Sequence, residues 1–344
     1  MTARLEPRLL GVALVAVGLV LAPLAFSGQE YLLRIVSTAA IYAISAYGLN
    51  IILGLTGQLS LAHGAFFGVG AYVVGLLTTD YDWSFWVSFA LAILVTGVLG
   101  YVSGLVALRT QGAYFAIFTM ALGFLIFIIV TRWESVTHAH SGVSGIKFPE
   151  GFGPIDFSEP KIMYYFILLI LAGAAYTTHA LLKSNAGRSL VAIRTSEDLA
   201  KSIGVNVAVS KQLAFTASAA IAGLSGGLFA SLNGFIGPDA ASIDRTFELL
   251  LFLLIGGLGT VMGPLLGSLL MAFIFELLQD LESYRFIVLG PIIVLLVIFA
   301  PRGIVGYLNG MLSHLRSRRR AADRSQDELT DVARDPSADM NEVR

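Results

Sequence analysis

The polar side chains able to do chemistry in this chain gather in two glycine-rich stretches. The first is Gly54-Leu55-Thr56-Gly57-Gln58-Leu59-Ser60-Leu61-Ala62-His63-Gly64, just after Asn50. The second is Gly256-Gly257-Leu258-Gly259-Thr260, followed by Gly263 and Pro264. An amide, hydroxyls and an imidazole beside glycine suit hydrogen bonding to a small solute. Where such backbone leaves a helix, its N–H and C=O dipoles become ligands as well. Covalent chemistry has no comparable support. No Ser–His–Asp grouping and no pair of acids on one helix face stands out. No G-x-x-x-x-G-K-[ST] phosphate loop occurs, and no Gly-Lys dipeptide at all. The chain has no cysteine, which excludes disulfides, zinc–thiolate sites and thiol nucleophiles. His138 and His140 form an H-x-H pair without a third ligand at useful spacing, so a solvated loop is expected there and no metal.

A second group of chemical residues lies in 185–211, where Arg188, Arg194, Glu197, Asp198, Lys201 and Lys211 surround a few apolar positions. Thr195 with Asp198 reads as a helix start, and Gly204 as its stop. The spacing predicts a short helix with Leu199, Ala200 and Ile203 on one face and the charges on the rest. Mixed charge argues against simple binding to lipid, which favours Lys and Arg, and for docking into a partner's groove.

What must position these residues is a membrane protein. Of 344 residues, 56 % are hydrophobic and 13 % charged, with a mean hydropathy of +0.79. Soluble domains carry about twice that charge. A net charge of −1 gives no field for phosphate backbones, so no nucleic-acid partner is expected. Apolar runs at roughly 9–27, 33–53, 59–78, 84–107, 113–131, 161–182, 212–233 and 263–281 approach or exceed the ~20 residues that cross a bilayer. A shorter run, 247–258, ends in the second glycine stretch, and a last one covers 286–301. The expected fold class is all-α, a polytopic transmembrane bundle of about ten spans. The piece 247–258 is then a short broken helix shielded by its neighbours. The first run, 9–27, follows Arg4 and Arg8 and reads as a retained first helix.

Basic residues gather at Arg4 and Arg8, in the connection 183–211 and in the segment from Arg302 to Arg320. Positive charge marks the cytoplasmic side, so both termini and that connection are expected there, and 132–160 outside. The organisation reads as a first membrane helix in 1–30, a core in 31–308 and a charged, disordered tail in 309–344. Within the spans, Glu276 lies near an outer end, where pairing with a neighbour is expected. Arg34 and Glu248 lie at span ends, from which they can snorkel. No chain of buried acids or lysines crosses the membrane, which argues against ion coupling. Glycines four apart, as at Gly64 and Gly68, Gly100 and Gly104, Gly223 and Gly227, predict close helix packing.

Four motifs in order resemble one family. They are Gly57 to Phe66, Leu108-Arg109-Thr110-Gln111-Gly112-Ala113-Tyr114-Phe115-Ala116-Ile117, the segment Gly187-Arg188 through Ala214-Phe215, and Gly256 to Thr260 with Gly263-Pro264. Ala300-Pro301-Arg302-Gly303 closes the last run in the same manner. Over about 30–305 the chain resembles the branched-chain amino acid ABC transporter permeases, in particular the M-type subunit of the leucine/isoleucine/valine uptake system. Ala62 stands where the family has Gly, and Ser141 to Ile146 is a weak form of its outer loop. The resemblance implies a permease subunit with no cofactor and no ATPase of its own. Its implied partners are a homologous second permease, two cytoplasmic ATP-binding subunits and an extracytoplasmic substrate-binding protein, all assembled at the bilayer of the plasma (inner) membrane. It implies a translocation pathway at Asn50, Gly57, Gln58, Ser60, His63, Gly64, Tyr114, Gly256, Gly257, Gly259 and Thr260. It implies an ATPase-coupling helix carrying Arg188, Arg194, Glu197, Asp198, Lys201 and Gly204. Substrates would be branched-chain or related small amino acids. Urea or short amides, and an ion-coupled secondary carrier, stay open as alternatives.

Overall fold

A computed structural model describes residues 17–23, 29–151, 153, 155–278, 291 and 303–306. The expected span 286–301, apart from residue 291, and the tail 309–344 lie outside the described residues, as does most of 9–27. Helix α1 covers 17–23. The principal helices are α2 (Glu30–Leu49), α3 (His63–Thr79), α4 (Phe85–Ala107) and α5 (Ala113–Arg132), followed after the short α6 (Glu134–Thr137) by α7 (Pro160–Lys183). Two short helices come next, α8 (Asn185–Thr195) and α9 (Glu197–Ser202), then α10 (Val207–Asn233), α11 (Ile243–Gly256) and α12 (Gly263–Leu277).

Among the described residues, five helices are long and apolar enough to cross a bilayer: α2 with its π-helical extension, α4, α5, α7 and α10. α3 and α12 are apolar but shorter. The structure thus bears out a helical membrane bundle. Boundaries moved at three places. The run 59–78 becomes helical only at His63, because Leu59–Ala62 form a bend. α10 starts at Val207, where the Asn206 side chain accepts the Val209 N–H, so Lys211 belongs to a span and not to the connection before it. α11 starts at Ile243, capped by Ser242, and so takes in Arg245, which the sequence reading left outside.

The bundle has a largely apolar interior with polar side chains embedded in it, and an oily exterior. α2 is almost wholly buried, wrapped by α10, α12, α7 and α11. α4, α5 and α7 leave Leu94, Val102, Leu125 and Leu169 exposed, the surface that hydrocarbon would cover. Meanwhile Ser45, Asn50, Ser60, His63, Ser218 and Thr246 are buried. Small residues make this packing possible. A Cβ added at Gly70 would sit 2.1 Å from the Gly223 carbonyl oxygen, and one at Gly226 would sit 1.9 Å from that of Phe67. α3 and α10 therefore touch backbone to backbone.

The two ends differ. At one, α6 lies against α3, and a two-residue strand β1 (Val143–Ser144) pairs antiparallel with β2 (Phe235–Ile236), closing the loops over α3. There the Lys147 ammonium, hydrogen-bonded to Asp82, holds that carboxyl below the usual carboxylate range. His138 Nε2 faces Asp80 at 3.0 Å, and no group of three metal-ligating side chains occurs among the described residues. At the other end, which we term the basic end, α8 and α9 lie against the α2 terminus and α10.

Candidate functional site

The two glycine-rich stretches meet at the basic end. α2 runs as an α-helix to Leu49 and then widens into a π-helix over Asn50–Leu55. Chain direction reverses through Gly57, whose φ of +75° suits glycine. Asn50 lies completely buried at the start of this widened turn. Its Oδ1 accepts the Gly259 N–H at 2.8 Å, and its Nδ2 donates to the Thr260 carbonyl at 3.0 Å. One side chain therefore does for 257–262 what a neighbouring strand would do. Tyr47 adds a bond to the Val261 carbonyl at 2.6 Å. α11 must stop at Gly256, because Gly257 and Gly259 take φ of +123° and +71°. The Thr260 hydroxyl donates to the Gly257 carbonyl at 2.9 Å and accepts the Gly263 N–H at 3.0 Å, which starts α12. A Cβ at Gly54 would lie 2.8 Å from the Gly259 nitrogen, so the two breaks fit only while both stay small.

Behind this contact lies a buried hydroxyl–imidazole row. His63 opens α3 with Nδ1 3.3 Å from Ser60 Oγ and Nε2 2.8 Å from Ser218 Oγ. Ser218 gives its only hydroxyl proton to the Gly48 carbonyl at 2.5 Å, so Nε2 carries the proton of its bond to Ser218. The Gly64 N–H donates to Thr246 Oγ1 at 2.8 Å, and a Cβ there would stand 2.6 Å from the Ser242 carbonyl oxygen. Gly64 thus lets α3 approach α11.

The charged segment joins the site in a way its sequence did not show. Arg194, near the end of α8, donates through Nη1 to the Gly54 carbonyl at 2.6 Å and lies against Gly57 and Gly259. Glu197, in the first turn of α9, accepts from Gln58 Nε2 at 3.3 Å, from Gln111 Nε2 at 3.0 Å and from the Lys211 ammonium. Lys211 is buried. Gln58 Oε1 is buried without a hydrogen-bond partner among the described residues. Two expectations are corrected here. Thr195 is the last residue of α8, and Ser196 is the cap, its hydroxyl accepting the Leu199 N–H at 3.3 Å. Arg194, though exposed, and the half-buried Glu197 are both held by hydrogen bonds to neighbouring elements and are not free docking charges.

Two apolar side chains also face outward on α9 and at its C-cap. Leu199 is 61 % and Ile203 67 % exposed, while Ala200 is buried, so these three do not share one buried face. Asp198 and Lys201 form an exposed pair, and Arg188 bonds the Lys183 carbonyl at 3.2 Å. Gly204 takes φ of +86°, as a helix stop would. Tyr114 is 75 % exposed and stands apart from the buried cluster, unlike the other expected pathway residues.

Sequence reasoning missed Arg245. Its guanidinium lies 5.1 Å from the Tyr42 ring, 5.6 Å from Phe229 and 5.9 Å from Phe67. It donates to Tyr42 Oη at 2.7 Å and to Glu248 at 2.5 Å. Glu248 therefore pairs inside the bundle and does not snorkel. The i,i+3 spacing of Arg245 and Glu248 was the available signal. Glu276 does find a neighbour, accepting from the Tyr31 hydroxyl.

Residues 31–300 match the family described as branched-chain amino acid transport system / permease component. Among curated proteins, the chain is 31 % identical to the high-affinity branched-chain amino acid transport system permease protein LivM of Escherichia coli, over 79 % of this chain and 69 % of that one. It is 24 % identical to LivH of the same organism, over 79 % and 93 %. It is 27 % identical to the autoinducer 2 import system permease protein LsrC of Yersinia pestis, over 74 % and 71 %. No solved structure matches the chain.

Proposed function

The chain belongs to the branched-chain amino acid transport permease family, and from that premise we propose how it works. It is an integral membrane transport component and not an enzyme. We infer that it forms the translocation pathway of an ABC importer for branched-chain or related small amino acids. It holds no cofactor, and ATP is bound by separate subunits. A homologous second permease, two cytoplasmic ATPase subunits and an extracytoplasmic binding protein complete the assembly in the inner membrane. Similarity to both LivM and LivH supports a paired permease. The basic end faces the cytoplasm, with both termini and about ten crossings in all. Urea transport and ion coupling are not favoured.

The contact of Arg194 with Gly54 is the observation that supports the mechanism best. ATP-driven closure of the ATPase subunits pulls on α8 and α9. Arg194 and the Glu197 cluster carry that movement to the π-helical end of α2 and, through Asn50, to the break between α11 and α12. Rigid helices either side of these breaks then rock between outward- and inward-open states. Proteoliposomes holding the whole complex should import leucine, isoleucine and valine only with ATP inside. Import of urea in place of leucine would refute the substrate. Transport by the purified single chain without ATPases would refute the mechanism.

A further inference from the structure

At the end opposite α8 and α9, a cavity of about 360 Å³ opens between α2, α7 and the loop before it. Its volume falls within the ~300–1,000 Å³ of small-molecule sites. One wall is a single face of α2, for Glu30, Leu33, Arg34 and Ser37 follow the i, i+3, i+4, i+7 pattern. The opposite wall includes Met163 and Leu232. The cavity therefore offers one carboxylate, one guanidinium and an aliphatic floor. The ion pairs among the described residues include neither Glu30 nor Arg34. Arg34 donates through Nη2 to Asn233 Oδ1 at 3.1 Å, which steadies the head at the rim. A guanidinium has five N–H donors, so that bond leaves others for a carboxylate.

We propose that this cavity receives a free aliphatic α-amino acid. Arg34 takes its carboxylate, Glu30 its ammonium, and Leu33, Met163 and Leu232 its side chain. The two charges required lie one helical turn apart, and apolar residues line the same cavity. The site rests on the import reading, in which this end faces outward and first meets solute released by the binding protein. It deepens that reading, since urea and simple amides carry neither charge and would gain nothing from the pair.

The absence of cysteine supplies the test. In the complete reconstituted complex, Ser158→Cys puts one thiol on this chain at the cavity lining. Leucine import by that variant at the wild-type rate establishes its fold. Saturating leucine is expected to slow labelling of this thiol by a methanethiosulfonate about tenfold, the ratio for a site that is ~90 % occupied. Urea, 3-methylbutylamine and 4-methylpentanoate, each lacking one or both charges, should give no protection. Adding Arg34→Gln or Glu30→Gln should abolish protection by leucine in complexes that elute at the wild-type size. Equal labelling with and without leucine, in a complex that imports leucine, overturns the cavity and leaves the import reading intact. Protection in a complex that fails to import leucine upholds the site and removes the import reading.

Discussion

Arg194 reaches across from α8 to donate to the carbonyl of Gly54 at 2.6 Å, inside the π-helical end of α2. A π-helix leaves carbonyls poorly served by their own ladder, and such turns gather at functional sites. The guanidinium supplies the missing donor from another element. Any displacement of α8 must therefore either move α2 or break this bond.

Arg194→Met should separate ATP hydrolysis from transport. Loss of the bond costs about 1 kcal/mol, a several-fold effect, because Arg194 is partly solvated. ATPase activity in the complex should persist while leucine import per ATP falls. Unchanged import per ATP would show that the contact carries no movement.

Asn50→Leu keeps the volume and removes both bonds to Gly259 and Thr260. Two buried backbone groups would then lack partners, at about 1–3 kcal/mol each. Thermal unfolding of the purified complex should shift down by several degrees. Asn50→Asp keeps the acceptor for the Gly259 N–H but loses the donor to Thr260 and buries a carboxyl facing that carbonyl, so it should cost at least as much as Asn50→Leu. An unfolding temperature unchanged by Asn50→Leu would show that the two bonds do not hold the breaks together.

Lys211 and Glu197 should show strong coupling in a double-mutant cycle. Removing one partner of a buried ion pair costs about 3–5 kcal/mol, because the other charge stays behind. Lys211→Met should therefore destabilise more than Lys211→Met with Glu197→Gln. Additive losses would contradict the pairing.

Much of this bundle was legible because hydropathy alone reports helices that meet lipid. α4, α5 and α7 fell within two residues of their expected ends. The glycine spacing also read correctly as close packing, since a Cβ at Gly64, Gly68 or Gly223 would stand 2.6, 2.4 or 2.1 Å from a neighbouring element. Polar contacts between distant segments were not legible. Arg194 and Glu197 have the composition of a solvated helix face, and nothing local shows that Gly54, Gln58 and Lys211 satisfy them. Arg245 was hidden for a related reason. A charge just before an apolar run reads as loop until its aromatic neighbours Tyr42, Phe67 and Phe229 arrive from three other segments.

Two glycines provide a paired control on packing. A Cβ at Gly226 would clash with the Phe67 carbonyl oxygen at 1.9 Å, so Gly226→Ala should cost about 1–3 kcal/mol and reduce folded yield. Gly173, within α7, has nothing within 4 Å of its ideal Cβ. Gly173→Ala should be neutral, or stabilising by up to about 1 kcal/mol through helix propensity. Thermal unfolding of both variants checks the contrast, which a reversed order would refute.

Leu199 and Ile203 should be the docking residues of α9. Both are largely exposed at the basic end, and an apolar side chain facing water there gains nothing until a partner desolvates it. Reversing Arg194 and Glu197 cannot isolate docking, since both hold the interior together. Leu199→Ser with Ile203→Ser removes apolar area from the surface alone, so stability should change by no more than about 0.5 kcal/mol. Pull-down of the ATPase subunits by this chain should nevertheless weaken, and leucine import should fall with it. Retention of the ATPase subunits at wild-type levels would move the docking surface elsewhere, to the exposed Asp198 and Lys201 pair as the next candidates.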